Sequence, residues 1–253
     1  MISRHPIWRS GDSPGDSPGD STEGSAGGDD RFDNESGIAL MVVIASLVLV
    51  LALASALVLT SLVETRIAAV SRDDALALSG AEAAASRALV DLRTADWDAV
   101  LGGALSTFSD GPPTGTRDLG DGTTLDLDSE TADMQCGRPG GCSEADITSI
   151  DDERPWGPHN PRWRLYAYGP LATLLPGDPS PPRVYLATWV ADDPLESDED
   201  PLRDGDSDDN PGRSVLMVSG RAYGPGGSRR TVQLVVERAG ADLRVLAHHE
   251  RHP

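Results

Sequence analysis

Ile38-Ala-Leu-Met-Val-Val-Ile-Ala-Ser-Leu-Val-Leu-Val-Leu-Ala-Leu-Ala-Ser-Ala-Leu-Val-Leu-Thr-Ser-Leu-Val63 runs for 26 residues without a charge. As a helix rising about 1.5 Å per residue it crosses a hydrocarbon layer of roughly 30 Å, so a membrane span is the direct reading. A secretory signal peptide has an apolar part of only about 7 to 15 residues, shorter than this run. A buried core helix fits poorly, because Ser46, Ser55, Thr60 and Ser61 are the sole polar breaks and mark no wet face. Charge counting does not orient the span: Arg4, Arg9 and Arg31 precede it and Arg66 and Arg72 follow it, a negligible difference.

Downstream of Glu64 neither Gly nor Pro interrupts the chain until Gly80, and Ile67, Val70, Asp74, Leu78, Ala81, Ala85, Leu89 and Leu92 recur at steps of three and four. This periodicity predicts that the span continues into an amphipathic helix over residues 64–105, ending near Leu101 and Gly102, with Asp74 the one misfit in the stripe. A single rod of about 60 residues would reach roughly 90 Å. Gly80, Ala81, Ala83, Ala84, Ala85 and Ala88 either admit close approach of another element or simply favour helix.

Upstream, residues 1–37 repeat Gly-Asp-Ser-Pro, hold eight acids against three Arg and offer almost nothing to bury, the composition of a disordered leader. Over all 253 residues, 41 acidic side chains stand against 21 basic ones, every one of them Arg, for a net charge of -20. That balance speaks against a nucleic-acid partner, whose phosphates demand clustered cations.

The segment from Ser36-Gly37-Ile38-Ala39-Leu40-Met41-Val42-Val43 through the apolar run to Ser61-Leu62-Val63-Glu64-Thr65-Arg66, with Asp74-Ala-Leu-Ala-Leu-Ser-Gly-Ala-Glu-Ala-Ala84, resembles the N-terminal region of PilX-type minor pilins of type IV pili. The likeness covers residues 35 to about 93. It implies a class III leader cut by a prepilin peptidase between Gly37 and Ile38, with Ile38 the new, N-methylated terminus. It further implies a cytoplasmic N-terminus, a single pass through a bacterial inner membrane and an exported C-terminal domain that moves into an extracytoplasmic pilus. The implied partners are the other pilin subunits and the assembly platform. Major pilins carry Glu at the fifth mature position, whereas Val42 stands there in this chain, a departure that favours an initiating or tip-located subunit. The 37-residue acidic leader also departs from the short basic leaders of the family.

From Ser106 the sequence breaks into short apolar runs punctuated by Gly, Pro and Asp, predicting strands at Thr123–Asp128, Trp163–Tyr168, Val184–Val190, Ser214–Tyr223, Thr231–Arg238 and Leu243–Ala247. Gly224-Pro225-Gly226-Gly227-Ser228 predicts a hairpin between the fourth and fifth of these. The expected fold is therefore α+β and pilin-like: the long N-terminal helix packed on an antiparallel sheet built from residues 106–253. Trp163, Tyr166, Tyr168, Tyr185 and Trp189 are expected to pack the sheet rather than cage a ligand.

In an exported domain Cys136 and Cys142, framing five turn-forming residues, are expected to form a disulfide, because no four-ligand metal set is at hand. The loop from Asp192 to Arg213 carries ten carboxylates. In it Asp204, Asp206 and Asp208 alternate around Gly205, which makes calcium the candidate cation, while the EF-hand pattern fails at Asp209 and Val215. A solvated acidic loop is the alternative. His248, His249 and His252 miss the His-Glu-x-x-His spacing and read as a frayed tail.

No nucleophile elbow, phosphate loop or dinucleotide fingerprint occurs, and His159 stands in a Pro-rich turn with no nucleophile near it in sequence, so the expected function is not enzymatic. Three readings follow: a minor pilin in pilus assembly or at the tip, a pseudopilin of type II secretion, and an unprocessed, single-pass exported binding protein.

Overall fold

The computed structural model describes residues 32–138, 140–153, 160–195, 200–205 and 214–251, with side chains from Gly37 onward. The expected disordered leader lies outside them up to residue 31. Helix α1 (Phe32–Leu92) starts six residues before the apolar run, so the end of the expected leader is helical. The chain divides after Thr60 into two units.

In the first unit, α1 presents its apolar residues to the outside. Every Ile, Leu, Met and Val from Ile38 to Leu59 is exposed by 52 to 75 %. Ser46, Ser55 and Thr60 each turn the hydroxyl back onto the carbonyl four residues earlier, which leaves no unpaired polar side chain on this surface.

The second unit is α+β, as the sequence predicts. Five strands form an antiparallel meander in chain order: β3 (Arg164–Pro170), β4 (Tyr185–Asp192), β5 (Val215–Tyr223), β6 (Arg229–Ala239) and β7 (Asp242–Arg251). The predicted hairpin joins β5 to β6, with Tyr223 opposite Arg229. Alternation divides the sheet residues between two cores. Leu186, Val190, Leu216, Val218, Ala222, Val232, Leu234 and Val236 face the last turns of α1 and the short helix α2 (Trp97–Leu101). Leu165, Tyr168, Tyr185, Ala187, Trp189 and Tyr223 face the opposite way, under Leu125 and Leu127. A bulge at Tyr166 lets Leu165 and Tyr168, three apart, share the second face. All eight residues of β4 are buried because both faces are covered.

Three elements were not anticipated: β1 (Thr116–Asp118), which pairs with β2 (Thr124–Asp126) in a small hairpin, and the two helices that follow it, α3 (Leu127–Cys136) and α4 (Glu144–Glu153). The predicted strand Thr123–Asp128 stops at Asp126, whose carboxylate accepts the Ser129 backbone N–H at 2.9 Å and caps α3; Gly137 closes that helix in the left-handed region at φ 67°. Before α4, the Ser143 hydroxyl accepts the Asp146 N–H and the Asp146 carboxylate accepts the Ser143 N–H, a reciprocal cap.

The rod is also shorter than predicted. It ends at Leu92, and α2 is a separate turn. Trp97 donates its indole N–H to the Leu92 carbonyl at 3.0 Å, and Arg238 of β6 donates to the Leu92 and Ala95 carbonyls while stacking 4.1 Å from the Trp97 ring centre. These donors satisfy carbonyls that a continuing helix would have used itself.

Candidate functional site

The chemistry the sequence suggests is one of surfaces, and two surfaces of α1 carry it. The first is the exposed apolar stretch of the first unit, the described helix that is long and apolar enough to cross a membrane. Gly37 and Ile38 stand at its start; the backbone is helical on both sides of the bond between them, and Ile38 is 61 % exposed.

The second is the face that α1 turns to the sheet. Ala77, Gly80, Ala81, Ala84, Ala85, Ala88 and Leu92 are buried on it. Of the predicted stripe, Ala81, Ala85 and Leu92 belong to this face and Leu78 and Leu89 flank it half-buried, but Ile67 and Val70 are exposed. Ile67 and Val70 precede the turns of α1 that meet the sheet, where Asp74 pairs with Arg230 of β6 and Ala77 is buried. Helix and sheet approach so closely that only small residues fit between them: a Cβ on Gly220 of β5 would sit 2.6 Å from the Ala81 carbonyl oxygen, and one on Gly80 would sit 2.9 Å from Ala222. At the same contact the buried Thr188 hydroxyl donates to the Ala84 carbonyl at 3.2 Å. Of the two readings of the Ala-rich stretch, close approach is the one the structure adopts.

Asp74, the misfit of the stripe, forms an ion pair with Arg230 of β6 that holds its carboxyl below the usual value. A charged residue within an apolar period was a readable signal for such a pair, though its partner lies 156 residues away.

On the opposite face of the sheet Arg221, almost fully buried, pairs with Glu130 and with Asp133 (3.1 Å) of α3 and lies 5.4 Å from the Trp189 ring centre. Tyr223 donates to Glu130 at 2.6 Å, and the Trp189 indole N–H donates to Thr131 at 3.0 Å. This cluster fastens α3 to β4 and β5, and nothing in the sequence announced it.

The expected aromatics are packing residues: Tyr166, Tyr168, Tyr185 and Trp189 are buried and Trp163 is half-buried against the second core. Burial raises the hydroxyls of all four tyrosines above the ordinary 10.0, Tyr166 and Tyr185 to about 12, with Tyr168 and Tyr223 also moved upward. Because the raised value belongs to the folded state, this contribution to stability is complete below pH 10 and is lost as pH rises toward and beyond 12. A spectrophotometric titration should accordingly show tyrosinate formation displaced upward from pH 10, with the last part of it accompanying loss of structure. One or more tyrosines titrating normally in the folded chain would contradict the packing.

Cys136 and Cys142 are joined in a disulfide with Cα atoms 5.9 Å apart, linking the end of α3 to the approach to α4. Closing so small a loop stabilises by about 2 kcal/mol, so the Cys136→Ser, Cys142→Ser double variant should lose that much in urea unfolding while retaining its secondary structure by circular dichroism.

Of the three proposed calcium ligands, Asp206 and Asp208 lie outside the described residues. Asp204 accepts the Ser214 backbone N–H at 2.6 Å, and its own N–H donates to Asp98 at 2.9 Å. Among the described residues no three His, Cys, Asp or Glu side chains converge on a metal-sized site. His248 and His249, expected in a frayed tail, belong to β7, where they pair with Leu234 and Gln233. Main-chain hydrogen bonding to β6 orders them, which side-chain spacing could not reveal. His159 and His252 lie outside the described residues.

Comparison with protein-family models, curated proteins and solved structures finds no match to this chain.

Proposed function

We propose that this chain is a non-catalytic minor pilin, anchored in a bacterial inner membrane by the apolar part of α1 and drawn from there into a type IV pilus, where it initiates or caps assembly. The observation that supports this reading is the composition of α1 itself. One helix carries an uninterrupted exposed apolar surface from Ile38 to Leu59 and then a buried small-residue face from Ala77 to Leu92. The apolar surface needs a non-aqueous neighbour, which lipid supplies before assembly and sister helices supply afterwards. Removing it from water in either setting is favourable by about 25 cal/mol per Å². The small-residue face keeps the sheet domain attached to the same helix throughout. Val42 at the fifth mature position fits a subunit at the start of a fibre better than one repeated along it.

One observation favours a second reading, a single-pass anchored exported protein that is never processed: the helix runs through the bond between Gly37 and Ile38. Cleavage there requires the first turns to unwind. Mass spectrometry of the chain extracted from membranes separates the two. The pilin reading expects Ile38 as the N-terminal residue, carrying one added methyl group. An intact Met1, or a cut near Ser61, would remove it.

A further inference from the structure

We propose that the Asp193–Pro194 peptide bond is a self-cleavage site, broken by the Asp193 side-chain carboxyl acting on its own main-chain carbonyl carbon. The inference stands independently of the pilin reading. Three Asp-Pro bonds occur in the chain, after Asp178, Asp193 and Asp200. At each of them the Asp carboxylate accepts the backbone N–H two residues on, from Ser180 at 2.9 Å, Leu195 at 3.3 Å and Leu202 at 3.2 Å. The ring closed by that hydrogen bond contains both the Asp carbonyl carbon and the Pro nitrogen, so each carboxyl is turned back toward the bond it can attack. A nucleophile tethered in this way needs no encounter with its target.

What singles out Asp193 is its surroundings. Asp178 is exposed and Asp200 half-buried, whereas Asp193, just past the end of β4, keeps only 9 % of its surface exposed. The adjacent charged group is the Asp192 carboxylate, which accepts the Asp193 N–H at 3.0 Å. Asp98 of α2, packed against β4, accepts the Asp204 N–H instead, and Arg164 at the start of β3 is exposed. Among the described residues no cation pairs with Asp193. Burial therefore raises its carboxyl above the ordinary value, against the lowering by the Leu195 N–H. The group retains its proton into mildly acidic solution, where carboxyls in water have lost theirs, and the reaction uses that proton. Leu195, beyond the bond, is 63 % exposed, so the departing end lies next to water.

The step balances with water as the sole co-reactant. A carboxyl oxygen bonds to the Asp193 carbonyl carbon, the bond from that carbon to the Pro194 nitrogen breaks, and the carboxyl proton passes to the nitrogen, which leaves as a secondary amine. Water opens the five-membered cyclic anhydride left on Asp193, giving back its carboxyl and creating a new C-terminal one. β4 remains paired with β5 from Tyr185 opposite Tyr223 to Asp192 opposite Leu216, so the two pieces stay together until denatured.

The test incubates the full chain in detergent micelles at about pH 5 and about 37 °C, then counts the three cuts by mass spectrometry after denaturation. Cleavage before Pro194 should run at least about fivefold faster than before Pro179 or Pro201, an excess that vanishes at about pH 2 and in about 8 M urea, where burial no longer separates the three carboxyls. Hydroxylamine should capture the anhydride as a hydroxamate on the fragment ending at Asp193. Asp193→Asn should abolish this cut and spare the other two. Asp193→Glu, which must close a six-membered anhydride, should slow it at least about tenfold. The proposal is overturned by equal rates at the three bonds in the folded chain, by an excess that persists in urea, by cutting of the asparagine variant at the same bond, by the absence of a hydroxamate, or by a chain still intact after about a week.

Discussion

Adding one methyl group at Gly220 is expected to destabilise the sheet domain by about 3 kcal/mol, near the upper end of what overpacking costs. The new carbon would meet the backbone of α1, 2.6 Å from the Ala81 carbonyl oxygen and 2.7 Å from the Ala85 nitrogen, and backbone cannot rotate aside as a side chain can. Gly220 pairs with Thr188 on one side and Val232 on the other, so the strand cannot yield without disturbing both ladders. The helix would have to lift, opening space over Ala81, Ala84 and Ala85. Gly80→Ala is the informative contrast. Its Cβ meets only side-chain carbons, at 2.9 Å from Ala222 and Val184, and alanine regains roughly 1 kcal/mol of helix propensity, so its net cost should be the smaller of the two. Urea unfolding of the detergent-solubilised chain, followed by fluorescence of buried Trp97 and Trp189, measures both variants. A Gly220→Ala variant as stable as the parent would mean that helix and sheet do not approach as described.

Arg221→Met should cost about 3 to 5 kcal/mol, the range for removing one partner from a buried ion pair. The loss comes less from the attraction forfeited than from what is left behind: Glu130 and Asp133 would face the sheet with their cation gone, and Glu130 would keep only Tyr223 and the more distant Arg229. Arg221→Lys keeps the charge but cannot reach Glu130, Asp133 and Thr231 at once as the guanidinium does, so it should fall between parent and methionine variant. Adding Glu130→Gln to Arg221→Met should recover part of the stability, since it removes a stranded charge. If the methionine variant matched the parent, α3 would not be fastened through this cluster.

How far each feature could be read from the sequence follows from the range of the interaction behind it. The apolar run is a local property of 26 consecutive residues, and its helix needs no partner in order to be recognised. The five strands of the main sheet were legible for a related reason: alternation and turn residues such as Gly224 to Ser228 announce themselves within a few positions, and the hairpin register follows from the loop. The helices α3 and α4 have local signals too, the caps at Asp126 and Ser143, but α3 is flanked by β-favouring residues at Thr123 to Leu125 whose pattern outweighed them.

By itself the sequence determined the apolar helix, the antiparallel sheet and the hairpin, because each is written in neighbours along the chain. Only the tertiary structure decided which face of α1 meets the sheet, that Gly220 must lack a side chain, and that Arg221 and Asp74 have partners about 90 and 156 residues away. Those outcomes depend on how close two backbones come and which charges are thereby buried together, and periodicity in one dimension carries no measure of either distance.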